Sequence, residues 1–132
     1  MGWVHLRRDL GGLIFVDIRD REGITQAVFD PSELSAQLFE VAESLRSESV
    51  IAVSGKVRRR PGHNPTDRIP TGEIEVYARG VAVQSHAEEL PLPVAGEQDY
   101  PEDIRLKYRF IDLRRETMHR NIMLRSEVIS SL

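Results

Sequence analysis

Apolar and polar residues alternate along several stretches of the chain, which is the pattern of β-strands that bury one face. In residues 13–20, the apolar face is formed by Ile14, Val16 and Ile18. Phe15 falls on the opposite face, beside charged residues. The same alternation, interrupted by turn-forming residues, predicts five strands. The predicted strands comprise residues 2–7, 13–20, 24–29, 50–60 and 73–84.

A helix is predicted between the third and fourth strands. Asp30 fits the N-cap, Pro31 fits the first helical position, and Glu33 follows three residues after the cap, as in a capping box. Apolar residues then recur at the spacing of one helical face. This stripe comprises Leu34, Leu38, Val41, Ala42 and Leu45. The helix is expected to end near Ser47.

The predicted elements follow the order strand, strand, strand, helix, strand, strand. This is the order of an oligonucleotide-binding (OB) barrel, whose second and third strands and adjoining loops form the binding face. In the fourth strand, Ile51, Val53, Gly55 and Val57 fall in phase. The predicted fold class is therefore mainly β: a five-stranded OB-fold barrel with one helix between strands 3 and 4, followed by a hinge and a C-terminal helical segment.

Composition divides the chain into three predicted parts. Residues 1–86 form the barrel. Residues 87–104 are rich in proline and carry only acidic charges, which is typical of a linker. Residues 105–132 are predicted to be helical from 108 to 115 and again from 118, and to form a hinge and the start of a further domain. The last helical pattern has no stop signal, so a longer protein is expected to continue beyond Leu132.

Overall composition is that of a folded domain. The chain has 132 residues, of which 40% are apolar and 30% charged, and its formal net charge is −3. That length suits one domain with a buried core. The absence of cysteine excludes disulfides, thiolate metal sites and a cysteine nucleophile. No apolar stretch approaches the ~20 residues that cross a bilayer, and no signal peptide is evident, so we expect a cytoplasmic protein without a membrane partner.

Basic residues are segregated along the chain. Residues 51–79 hold six basic and three acidic residues, and residues 105–132 hold seven basic and three acidic residues. Residues 80–104 hold six acidic residues and no lysine or arginine. Because charge acts over a Debye length of about 8 Å at physiological salt, such basic stretches can attract a polyanion despite the negative sum. The alternative is that they are solvated strand ends and helix faces.

Three side chains are candidates for contacts with unpaired bases. Phe15 lies on the polar face of its strand, where stacking contributes about 1–3 kcal/mol per base; alternatively, it covers a hydrophobic edge under a loop. Gln26 can both donate to and accept from a base edge. Gln26 falls on the same face of its predicted strand as apolar residues, so the alternation does not decide whether its side chain faces the core or the binding surface. Glu75 can accept from the imino and amino groups of guanine, or else is a solvated surface carboxylate.

Arginines near the predicted binding face are candidates for phosphate or base contacts, because guanidinium stays charged and donates in a planar fork. These are Arg7, Arg8, Arg58 and Arg60. Each is alternatively an ordinary surface residue.

Catalytic and metal-binding patterns are lacking, since the four histidines have no ligand spacing and no glycine-rich phosphate loop or nucleophile elbow occurs. We predict no catalytic residue, no metal site and no cofactor for these 132 residues.

Nearly the whole chain resembles one known family. The matching segments are GWVHLRRDLGGLIFVDIRDREGITQ (residues 2–26), TGEIEV (71–76), LPLP (90–93) and RLKYRFIDLRR (105–115). These segments closely resemble the bacterial aspartyl-tRNA synthetases of class II. Related synthetases for asparagine and lysine share the barrel, whereas the run from Arg7 to Gln26, together with the segment from Tyr108 to Arg115, resembles the bacterial aspartyl enzymes specifically.

The resemblance implies an N-terminal anticodon-binding barrel followed by a hinge. It implies that Phe15 stacks on an anticodon base, that Gln26 hydrogen-bonds the middle uracil, and that Glu75 recognises the guanine in the first position. It also implies that Arg8 faces the third base and that Asn64 lies at the anticodon, although the loop of residues 61–70 matches the family less well.

The resemblance implies that the partner is the anticodon stem-loop of aspartate tRNA and that the parent enzyme is a homodimeric ligase that uses ATP and Mg²⁺. The family's catalytic motifs are absent from this chain, so the chain alone is expected to be inactive. The resemblance also implies that an enzyme with leucine at the position of Leu10 is restricted to aspartate tRNA. Two alternatives remain from other classes: a general single-strand-binding OB module, and a protein-interaction module that docks through the basic helix from Arg105. Asparaginyl-type or lysyl-type specificity is a third.

Overall fold

The computed structural model describes residues 1–61, 69, 71–96 and 98–132. The candidate Asn64 lies outside the described residues. The chain divides into two compact units, Met1–Glu88 and Glu89–Leu132. Within the described part of the chain, no helix has both the length and the apolar character needed to span a membrane.

The first unit is a closed five-stranded barrel with the strand order β1-β2-β3-β5-β4. Neighbouring strands are antiparallel except β3 and β5, which pair in parallel. This architecture confirms the predicted OB-fold class, with one helix between the third and fourth strands. The elements are β1 (Gly2–Leu10), β2 (Leu13–Arg19), β3 (Ile24–Phe29), α1 (Ala36–Ser44), β4 (Val50–Arg59) and β5 (Ile74–Ser85).

The barrel core is formed by the inward-facing residues of the strands and the apolar face of α1. Its most buried members are Val4, Val16, Ala27, Phe29, Ala42 and Ile51. As the alternation predicts, Ile14 and Val16 on β2 point into this core. The outward-facing residues of β2 and β3 are thereby fixed on the opposite surface of the sheet.

The fourth strand keeps its predicted phase, because Val57 opposes Val76, which packs against the core, but the strand is not buried beyond its middle. The register of β4 against β5 shifts between Ser54 and Gly55, and Val57 is 60% exposed rather than buried. The strands approach closely here, since a Cβ on Gly55 would lie 2.3 Å from the carbonyl oxygen of Tyr77. The bulge and the extension of β4 beyond the core separate its last residues from the interior.

The predicted start of the helix is also wrong. Asp30 does not cap α1; its carboxylate accepts hydrogen bonds from the backbone N–H and the hydroxyl of Ser32, at 2.8 and 2.6 Å, within a preceding turn. The N-cap is Ser35, whose hydroxyl accepts from the N–H of Leu38 at 3.4 Å. Asp30 prefers the nearer donors because an aspartate can close a local turn as readily as it caps a helix.

The second unit contains three helices: α2 (Glu102–Lys107), α3 (Arg109–Asp112) and α4 (Glu116–Ser131). Its small core is built from Leu92, Val94 and Ile111. Leu92 and Val94 fall in the segment that was predicted to be a linker. The boundaries of the three predicted parts of the chain stay predictions. α2 was not predicted from the sequence, and the helix predicted over residues 108–115 is limited to the single turn of α3.

Asp112 is the centre of the ionic contacts in the second unit. Its side chain is fully buried and accepts hydrogen bonds from Arg105 at 3.1 Å and from Arg109 at 2.7 Å. Arg115 lies 3.5 Å from the same carboxylate. Burial alone would raise the pKa of Asp112, but the Arg105 hydrogen bond and the charges of Arg105 and Arg109 outweigh it, so the pKa lies below its usual value.

Candidate nucleic-acid interface

The outer face of the barrel sheet holds most of the predicted binding residues. Side chains of residues that are directly opposed across two strands point to the same side of a sheet. One such row runs through all five strands. In strand order, this row comprises Arg8, Phe15, Val28, Tyr77 and Lys56. We call this row, together with the neighbouring row described next, the outer face.

The neighbouring row is polar. Asp17 on β2 pairs with Gln26 on β3, and Arg58 on β4 pairs with Glu75 on β5. The parallel register of β3 and β5, continued by one residue, places Gln26 next to Glu75. The outer face therefore combines a central aromatic and aliphatic strip with a line of hydrogen-bonding groups along one side.

Phe15 lies in the middle of the outer face and is partly exposed, as predicted from its parity with polar residues. Its cross-strand neighbour Val28 is only 1% exposed, yet it does not belong to the barrel core. Val28 is thus buried under the side chains of the outer face itself. Phe15 and Val28 thus form an apolar floor on the outer face, and the partly exposed ring of Phe15 offers a surface on which a base can stack.

Arg8 and Asp17 form an ion pair beside Phe15. Arg8 donates from Nη2 to both carboxylate oxygens of Asp17, at 2.9 and 3.1 Å. Asp17 is buried, whereas the Arg8 side chain keeps 37% of its surface exposed. Part of the Arg8 side chain therefore reaches solvent beside Phe15, whereas its Nε is buried without a hydrogen-bond partner among the described residues. Donors that Asp17 leaves free can bond to RNA.

Glu75 and Arg58 form the matching pair at the other end of the polar row. Arg58 donates from Nε to Oε1 of Glu75 at 2.8 Å, and its guanidinium lies 3.8 Å from the centre of the Tyr77 ring. Glu75 is only 3% exposed. The alternative of a solvated surface carboxylate is therefore wrong, because Arg58 covers this carboxylate and neutralises it.

Gln26 lies between these two ion pairs. The strand pairing resolves its face, which alternation had left undecided: Gln26 opposes Asp17 and so belongs to the outer face. It is 5% exposed, and none of the hydrogen bonds among the side chains of the described residues involves its amide. A nearly buried amide with unused donors and an unused acceptor is suited to bind the edge of an inserted base.

The structure does not bring every predicted arginine to the outer face. Arg7 pairs with the core residue Val16 and so points to the other side of β1, where it bonds Asp9 and the carbonyl oxygen of Glu43. It is therefore removed from the other candidates. Arg60, just after β4, keeps Nε and Nη2 buried without a hydrogen-bond partner among the described residues.

Two residues of this surface were missed in the sequence. Asp17 and Tyr77 each contact an arginine of the outer face. The alternation pattern could have identified both, since Asp17 lies two residues after Phe15 and Tyr77 two residues after Glu75, which places each pair on one face of its strand. In the described residues, no group of three or more histidine, aspartate or glutamate side chains is arranged to hold a metal ion. The chemistry available on the outer face is stacking, hydrogen bonding and charge pairing.

Comparisons with known proteins agree with this fold. Residues 1–90 match the tRNA anti-codon family, described as an OB-fold nucleic acid binding domain. Over 131 residues the chain is 59% identical to an aspartate–tRNA(Asp/Asn) ligase of Phenylobacterium zucineum and 56% identical to one of Parvibaculum lavamentivorans. The crystal structure of asparaginyl-tRNA synthetase from Pyrococcus horikoshii, complexed with asparaginyl-adenylate, is similar with a TM-score of 0.71 and 35% identity.

These similarities cover the chain but only part of the other proteins. Both ligase alignments include 99% of this chain, whereas they include 22% of the Phenylobacterium protein and 21% of the Parvibaculum protein. The match to the Pyrococcus structure includes 86% of this chain and 24% of that structure. The chain thus spans about a fifth of the length of the relatives it matches.

Proposed function

Because this chain belongs to the tRNA anti-codon family of OB-fold nucleic acid binding domains, we propose that its outer face binds the anticodon loop of a tRNA. The observation that carries the proposal is the partly exposed Phe15 on the apolar floor, beside a polar row in which Gln26 lies between two arginine–carboxylate pairs and has an amide with no hydrogen-bond partner among the described side chains. Stacking platforms with adjacent polar groups are how proteins bind unstacked RNA bases.

Each residue has a distinct role in this proposal. Phe15 stacks on an anticodon base, and Gln26 bonds the edge of the middle uracil. Glu75 accepts hydrogen bonds from the first-position guanine, whose imino and amino groups are both donors. Arg8 faces the third base.

The remaining cations hold the RNA backbone near these base sites. Arg58 and Arg60 contribute charge next to Glu75, and Asn64 is proposed to reach the anticodon from the loop that follows. Arg7, which lies on the other side of β1, attracts RNA only through its long-range charge. These contacts strengthen binding but carry little sequence information.

We further propose that the chain is the recognition part of an aspartate–tRNA ligase. The named activity of the two relatives supports this, as does the sequence similarity over 99% of the chain. In this proposal, the ATP- and Mg²⁺-dependent chemistry, and the dimer contacts of the parent, belong to the part of the relatives that this chain does not cover. The cytoplasm, where tRNA is charged, is then its place in the cell.

The test is the affinity of the chain for a series of RNA stem-loops, measured by fluorescence anisotropy. The reference loop carries the aspartate anticodon G-U-C. Three variants change one base each: adenine in the first position, cytosine in the second, and uracil in the third, which creates the asparagine anticodon. We expect each of the first two changes to weaken binding by about fivefold to 100-fold, the range for one lost base contact.

The third-position variant tests the expectation on Leu10, an exposed residue two positions after Arg8 on β1. Preference for cytosine over uracil is expected if this leucine restricts the chain to aspartate tRNA; equal binding of the two loops would contradict that restriction. Equal binding of all four loops would overturn anticodon recognition and favour a general single-strand-binding module. No binding at low salt, where phosphate contacts are strongest, would favour a protein-interaction module.

A further inference from the structure

Tyr77 contacts charged groups on both sides and has no role in the proposal above. It is half-buried in β5, two residues after Glu75. Its ring supports the guanidinium of Arg58, with the Arg58 Cζ 3.8 Å from the ring centre. Its hydroxyl donates to Oδ2 of Asp30 at 2.5 Å. One tyrosine therefore links the end of β3 to the ion pair between Arg58 and Glu75.

The acceptor of the Tyr77 hydroxyl is itself held in place. Asp30 accepts from the N–H and the hydroxyl of Ser32 through its other oxygen, Oδ1, at 2.8 and 2.6 Å. The hydrogen bonds from Ser32 and then from Tyr77 lower the pKa of Asp30, and the hydrogen bond to Asp30 raises the pKa of Tyr77. At neutral pH, an ionised carboxylate therefore accepts from a protonated phenol, which fixes the ring.

The fixed ring in turn limits the positions that Arg58 can adopt. An arginine side chain that is 38% exposed ordinarily samples many rotamers, and stacking on an aromatic face reduces that freedom. With its plane against Tyr77, Arg58 directs Nε to Oε1 of Glu75 at 2.8 Å. Glu75 is nearly buried, and removing one partner of a buried ion pair is strongly destabilising because the other partner is left uncompensated.

We propose that Tyr77 is a positioning residue for recognition of the first anticodon base, because it holds Arg58 against one edge of the Glu75 carboxylate. This inference rests on the proposed function. With Oε1 bonded to Arg58, Oε2 is left to accept from a base. Guanine offers two adjacent donors, N1–H and the 2-amino group, whereas adenine has an acceptor at N1. A carboxylate held in one orientation therefore favours guanine over adenine.

The experiment compares the wild-type chain with Tyr77→Leu and Tyr77→Phe, using stem-loops with guanine or adenine in the first anticodon position. Tyr77→Leu removes the ring, and we expect the ratio of the two affinities to fall by about threefold to thirtyfold, the range of a partly desolvated cation–π contact. Tyr77→Phe keeps the ring and loses only the bond to Asp30, so a smaller loss is expected. The preference at the third position should not change in either variant.

Two further measurements separate positioning from general loss of structure. In the Glu75→Gln background, Tyr77→Leu should have no added effect on the first-base ratio, because both changes act through one carboxylate. Without RNA, NMR of the arginine side chains should show the Arg58 Nε–H protected from exchange in the wild type and in Tyr77→Phe, but not in Tyr77→Leu. This second measurement does not depend on the RNA partner.

The outcomes distinguish the inference from the proposed function. If the wild type does not prefer guanine in the first position, the proposed role of Glu75 fails, and the positioning of a base fails with it. If the wild type prefers guanine and Tyr77→Leu keeps the same ratio, the positioning role of Tyr77 is overturned while anticodon recognition stands. Equal loss of preference at the first and third positions would also overturn it, since that would indicate a general distortion of the sheet.

Discussion

Replacing Phe15 with alanine is expected to weaken binding of the aspartate anticodon stem-loop by about fivefold to 150-fold, because stacking of one base on an aromatic ring contributes about 1–3 kcal/mol. The phenyl ring lies on β2 between Arg8 and Val28 in the outer face. Removing it takes away the surface on which a base lies, while both ion pairs are left in place. Fluorescence anisotropy at fixed salt measures the change.

Two matched variants show whether the ring itself is responsible. Phe15→Tyr keeps the aromatic face, so it should bind within about twofold of the wild type. Phe15→Leu keeps apolar contact with Val28 but has no π-face, so it should lose most of what alanine loses. Thermal unfolding of each variant must stay two-state, which excludes a collapsed barrel as the cause. Wild-type affinity in Phe15→Ala would eliminate stacking from the mechanism.

Replacing Asp112 with asparagine is expected to reduce the stability of the second unit by about 3 kcal/mol, the lower end of the range for removing one partner of a buried ion pair. The change keeps the shape of the side chain but leaves Arg105, Arg109 and Arg115 without their shared counter-ion. Arg105 and Arg109 keep partial access to water, which limits the loss. Hydrogen exchange of the amides of Ile111 and Arg115 measures this loss, as an acceleration of about 150-fold.

The same carboxylate predicts how this stability depends on pH. Because the pKa of Asp112 is lower in the folded state than in the unfolded chain, its stabilisation is fully present above the unfolded pKa of about 3.9 and is lost as the pH falls through the folded pKa. Protection of Ile111 should therefore be constant near neutrality and decline under acid conditions. In Asp112→Asn this part of the decline should disappear.

A neutral substitution elsewhere on the second unit controls for charge alone. Asp103 is exposed at the start of α2, so Asp103→Asn should change stability by less than about 0.5 kcal/mol. If Asp103→Asn and Asp112→Asn accelerated exchange equally, the special position of Asp112 among three arginines would be refuted.

Alternation of side chains was enough to predict the barrel, because each strand buries one face against the same core. Ile14 and Val16 face inward and Phe15 outward, as period-two patterning requires. The order of elements then limited the topology to few possibilities. Local pattern did not predict the burial of Glu75, since that burial depends on Arg58, 17 residues earlier along the chain and opposite it across two strands.

Contacts between distant residues explain the other errors. Asp30 was expected to cap α1, but it closes a turn and accepts from the hydroxyl of Tyr77, 47 residues away. Gln26 had an undecided face until its pairing with Asp17 placed it on the outer surface. Val57 keeps the predicted phase, opposite Val76, but is 60% exposed. None of these contacts leaves a periodic trace in the sequence.

The central claim, that the outer face contacts the bases of an anticodon, is tested most directly by NMR of the isotope-labelled chain during titration with the aspartate stem-loop. We predict that the largest chemical-shift changes occur at the Phe15 ring, the Gln26 side-chain amide and the Arg58 Nε–H, and that the base-swapped loops shift them less. Saturable changes confined to residues 105–132, with those three groups unaffected, would contradict the claim.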